Sequence, residues 1–153
     1  MSRKKCRRKI WSTAINPIAH AIAGAAIVDQ SSLNKLRLGE LSALESMRMG
    51  HGTIDDWKML VDMLNITLTF IRHGVGVEAK EDCQIAQDSL HKAAKRYEKI
   101  KRMGLDGAGI KAIQNVYEYH DLQRQSVARS FYEDMIEKTR NYIASRGKDV
   151  VVI

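Results

Sequence analysis

The densest set of groups able to do chemistry is Tyr117-Glu118-Tyr119-His120-Asp121-Leu122-Gln123-Arg124-Gln125-Ser126-Val127-Ala128-Arg129. It holds a base, two acids, two amides, two phenols and two guanidinium groups, which suits proton transfer, ion pairing or recognition. His120 and Arg124 fall on the apolar side of a helical repeat, between Tyr117 and Val127. An unpaired charge in such a place costs several kcal/mol. Arg124 must therefore meet a carboxylate, from Asp121, Glu118 or another helix, or face a partner. A polar layer fixing the register of a bundle is one reading. A recognition surface is the other, because tyrosine and arginine are frequent interface anchors. Tyr117, Tyr119, His120, Asp121, Arg124 and Arg129 are the candidate partner-binding residues.

Other chemistries lack their spacing. The histidines His20, His51, His73, His91 and His120 form no HExxH, no HxH and no zinc-type Cys/His group. A diiron bundle needs Glu-x-x-His on two helices, and Glu118 and Asp121 have no histidine three residues on. There is no phosphate-binding GxxxxGK[ST] loop and no GxSxG elbow. Gly104-Leu105-Asp106-Gly107-Ala108-Gly109 reads as a turn between helices. Cys83 lies on an apolar stripe where a small hydrophobe serves. No catalytic residue, metal or cofactor is expected, and the reading is of a protein that is not an enzyme.

The elements that must position the cluster are helical. Ile110, Ile113, Tyr117, His120, Val127, Phe131, Met135, Thr139, Tyr142 and Ile143 recur at steps of three, four or seven, which predicts one helix from Leu105 to Gly147. Capped by Asp106, such a rod would be about 60 Å long. Before it, Ala79, Cys83, Ala86, Leu90, Ala93, Tyr97 and Ile100 mark a helix within 77–103, closed by Gly104. Thr53 and Asp56 make a capping box for the most apolar helix, Ile54 to His73, placed centrally because its wide apolar face needs several neighbours. Ser31 and Ser32 open a stretch with Leu33, Leu36, Leu41, Leu44 and Met47 as its stripe, in which Gly39 marks a break. Asn16-Pro17 starts a short, small-residue helix reaching Val28. That segment is shorter than the ~20 residues of a membrane span. A secretory signal is the competing reading of this stretch, opposed by Asn16, Pro17 and His20 inside it.

The fold class expected is all-α: an up-and-down bundle of three to four long helices plus a short N-terminal helix. It divides into a basic arm (1–10), a bundle domain (11–147) and a tail (148–153). The chain has 153 residues, enough for one core. Its net charge of +7 sits in the arm, because Arg3, Lys4, Lys5, Arg7, Arg8 and Lys9 supply six of the 25 basic residues, leaving 19 against 18 acids. Those six, with Trp11 as a stacking ring, are the candidate nucleic-acid contacts. Two cysteines without CxxC spacing suit a reducing cytoplasm.

Arg-Lys-Ile-Trp before Asn16-Pro17-Ile18-Ala19-His20-Ala21-Ile22, then Leu36-Arg37-Leu38, Trp57 with Met63-Leu64-Asn65-Ile66, and the run from Tyr119 to Arg129 resemble small accessory proteins of temperate proteobacterial phages and prophages. The resemblance covers about Lys4 to Ile143 and transfers no functional residue. It implies a cytoplasmic protein that binds a host or phage protein and inhibits or regulates it, a host-defence complex in the manner of an anti-CRISPR included. The alternative expectation is a nucleic-acid-binding accessory protein using the arm. No membrane partner is expected, and a stripe on so long a rod would also serve a homodimer.

Overall fold

The structure, a computed structural model, describes residues 29–145. The arm, Trp11, the helix expected up to Val28 and the tail lie outside the described residues. Between them run α1 (Gln30–Arg48), α2 (Ile54–Arg72), a 3-10 turn (Val77–Ala79), α3 (Lys80–Ile100), α4 (Gly107–Ser126) and α5 (Arg129–Ala144). The described part is thus all-α.

Helix α2 packs on each of the other four. Thr53 Oγ1 accepts from Asp56 N–H at 3.1 Å while Asp56 accepts from Thr53 N–H at 2.8 Å, so the capping box forms as its sequence requires. The apolar face of α2 is wide, with Trp57, Leu60, Val61, Met63, Leu64 and Phe70 buried. It meets Leu44 and Met47 of α1, Cys83, Ala86 and Leu90 of α3, and Ile113 and Val116 of α4 in one cluster. The Trp57 indole N–H donates to the Leu90 carbonyl at 2.9 Å, satisfying a buried donor. Helix α4 lies close against α3 because a Cβ at Gly109 would collide with the Ser89 side chain.

Four boundaries differ from expectation. Helix α1 begins one turn's donor earlier: Asp29, not Ser31 or Ser32, caps it by accepting from Ser32 N–H at 3.0 Å, and Gly39 does not interrupt it. Its buried face holds Glu40, while Leu36 and Leu41 are exposed. Helix α3 ends at Ile100 rather than near Gly104, because Lys101 turns left-handed at φ 55°. The largest correction concerns the rod expected over 105–147, which is two helices. Val127 (φ −120°, ψ 155°) and Ala128 (φ −63°, ψ 149°) are extended between α4 and α5. Ser126 Oγ donates to the Gln123 carbonyl at 3.1 Å, competing with the helical ladder at the point of the break. The seven-residue step from His120 to Val127 concealed it, since Val127 is semi-buried on either side of the bend. The bend brings Tyr132 and Met135 onto Phe70 as a second, smaller cluster.

Candidate functional site: a cleft with a charged floor

Arg124 is buried completely, on the inner face of α4. Its two terminal nitrogens donate to the two oxygens of Glu40 on α1, each at 2.9 Å, and Nη2 also reaches Asp121 at 3.1 Å. Asp121 in turn accepts two bonds from Arg37, both at 2.8 Å, and one from Gln125 at 2.7 Å. Two guanidinium groups and two carboxylates alternate, so the network carries no formal net charge. Forked, bidentate geometry is what makes such burial tolerable. The guanidinium groups and hydrogen bonds hold Asp121 below the usual carboxylate range against the opposing effect of burial.

His120 stands beside this network, also fully buried. Its Nδ1 lies 3.2 Å from Thr67 Oγ1, whose hydroxyl donates to the Met63 carbonyl at 2.8 Å. Burial pushes His120 below its ordinary pKa, more strongly than the neighbouring Glu40 raises it. The other edge of the ring presents Nε2 to Glu40. That atom has no hydrogen-bond partner and stands 3.5 Å from a Glu40 oxygen.

Glu40, His120 and Tyr132 form the floor of a cleft of about 490 Å³ between α1, α2 and α5. Its walls are apolar, with Leu36, Met59, Met63, Ile66, Ile136 and Ile143, and its rim carries Lys35, Lys58, Asp55 and Arg140. Gly39 lets α1 approach Met59, since a Cβ there would stand 3.2 Å from the Met59 sulfur. An apolar cleft of this size with a few convergent polar groups has the form of a binding site. The carboxylate at its floor, Glu40, already has both oxygens bonded to Arg124.

The six residues expected to make a partner surface do not share one. His120 and Arg124 belong to the interior, so neither meets a partner on an outer face of α4; the reason is that Glu40 neutralises the cation within the fold. Tyr117 and Tyr119 are half-buried against the main core. Asp121 bridges the two arginines. Arg129 is exposed on α5 and pairs with Glu133 at 2.8 Å. Glu118, offered as a partner for Arg124, is exposed. The sequence reading missed Arg37, Glu40 and Thr67. A signal for Glu40 existed, because it stands seven residues from both Leu33 and Met47 and so shares their buried face.

Among the described residues, no group of three or more His, Cys, Asp or Glu side chains could hold a metal ion, and no helix is long and apolar enough to cross a membrane. Cys83 is remote from the cleft in the main cluster, and burial pushes its thiol up to about 12. No family model matches the chain, and no curated protein or solved structure matches it.

Proposed function

We propose that this chain is a non-enzymatic accessory protein of the phage type, working in the cytoplasm, that captures a host or phage protein and inhibits or regulates it. The contact is the cleft, which receives the apolar face of a partner helix. The observation that carries this reading is the apolar cleft between α1, α2 and α5, with Lys35, Lys58, Asp55 and Arg140 at its rim. Helix-in-groove recognition uses such a surface, and methionines such as Met59 and Met63 adapt to side chains of differing shape. The frame we infer around it is the up-and-down bundle that the short turns favour.

The test is a pull-down from bacterial lysate treated with nuclease, comparing the intact protein with a Leu36→Glu, Met59→Glu variant. Both side chains are 42% exposed, so the change places charge in the cleft wall without opening the core. A stoichiometric protein retained by the intact chain and lost by the variant, with equal thermal midpoints, supports the reading. Equal capture by both sinks it.

A further inference from the structure

The described residues hold 17 basic and 17 acidic side chains, yet the two signs are not mixed evenly. Lys92, Lys95, Arg96, Lys99, Lys101 and Arg102 lie within one short stretch whose single acid is Glu98, leaving eleven cations against sixteen acids elsewhere. All six are exposed. Lys92, Lys95, Arg96 and Lys99 alone line a shallow depression of about 310 Å³ along α3. Arg96 also borders a second depression, of about 210 Å³, with Arg102 and Gly104, and its Nη1 donates to the Gly104 carbonyl at 3.1 Å. The two depressions therefore make one continuous cationic surface. Asp88, one turn before Lys92, bounds it.

Complementing the helix dipole does not account for this surface. That effect fades within the last turn, whereas Lys92 and Lys95 stand five or more residues before Ile100. Nor does it resemble a protein-binding patch, because lysine is depleted there and aromatic anchors are enriched. We propose that the C-terminal half of α3 binds the phosphate backbone of a nucleic acid, without reading base sequence. Lys92 to Lys99 spans about 10 Å of helix, enough to follow about three phosphates of one strand, spaced at roughly 3.4 Å along a duplex axis. The cations lie about a Debye length or less apart and act together. This surface is independent of the cleft and is distinct in sequence from the arm at residues 3–9.

The experiment is fluorescence anisotropy of a labelled 20-base-pair duplex of arbitrary sequence, titrated with the full chain at several salt concentrations. The comparison is a Lys92→Gln, Lys95→Gln, Lys99→Gln variant, with Leu36→Glu, Met59→Glu as the control for the cleft. Losing three phosphate contacts should lower the slope of log K against log salt by about 2.7 and weaken binding ~10-fold or more at low salt. The cleft control should bind the duplex as the intact chain does. An unchanged slope and affinity in the lysine variant overturns the proposal and leaves the arm as the source of any binding. Binding to phosphatidylglycerol vesicles but not to the duplex overturns it in favour of a lipid surface.

Discussion

The molecule has two apolar regions that are built differently. The main cluster joins α1, α2, α3 and α4 through aliphatic, small and methionine side chains around Trp57. The second rests on Phe70, Tyr132 and Met135, with Phe131 edge-on to Phe70 at a centroid distance of 5.8 Å. Helix α5 leans on α2, also through polar pairs: Thr69 with Thr139 at 2.7 Å, and Arg72 over the Tyr142 ring at 4.2 Å. Local opening free energy follows buried apolar contact, so α5 should open before the four-helix body does. The cleft lies along the seam, with α1 and α2 as two of its walls and α5 as the third.

The network joining the two regions should give the largest effect. Arg124→Met leaves Glu40 buried without its guanidinium, and the expected loss is about 3–5 kcal/mol in urea unfolding. Glu40→Leu with Arg124→Met should recover most of that loss, because the cost lies in the unpaired charge rather than in losing the pair. A double variant no more stable than Arg124→Met alone would show that the network does more than neutralise itself.

Met135→Ala should cost about 2–4 kcal/mol, confined to α5. Hydrogen exchange would then quicken in 129–144 while Cys83 keeps its resistance to thiol reagents, measured with Cys6→Ser to silence the other cysteine. Leu60→Ala, in the main cluster, should cost a similar amount and expose Cys83 as well. If Met135→Ala also speeds Cys83 labelling, the two regions open as one and the distinction fails.

Acid should act at the seam. His120 has its pKa lowered in the fold, so below its unfolded value of 6.5 the unfolded state binds the extra proton first. Stability from this group is thus complete above that value and declines as pH falls toward the folded pKa. His120→Asn should flatten that part of the stability profile, and an unaltered profile would show that His120 stays neutral for another reason. The smallest effect belongs to the exposed pair of Arg129 and Glu133, where Arg129→Ala should cost no more than about 0.5 kcal/mol.

Much of this was legible before any coordinates. The capping box at Thr53, the Asp106 cap and the buried stripe from Ala79 through Ala93 rest on contacts within three or four residues, which spacing alone encodes. So did the need of Arg124 for a carboxylate, since a buried guanidinium has no stable alternative within a fold. Which carboxylate was not legible. Glu40 is 84 residues away, and nothing local distinguishes it from an exposed acid except its place between Leu33 and Met47. The bend at Val127 was likewise hidden, because an apolar repeat looks the same whether the helix continues or turns back onto Phe70.

By itself, the sequence determined that the described chain is helical, where two of its helices are capped, and that Arg124 on an apolar stripe needs a carboxylate or a partner. Those outcomes follow from backbone geometry and desolvation, which act over a few residues. Only the tertiary structure decided that Glu40 answers Arg124, that α5 folds back to wall a cleft, and that His120 is buried beside Glu40. Each depends on which distant faces meet, and that is settled by packing the whole body at once.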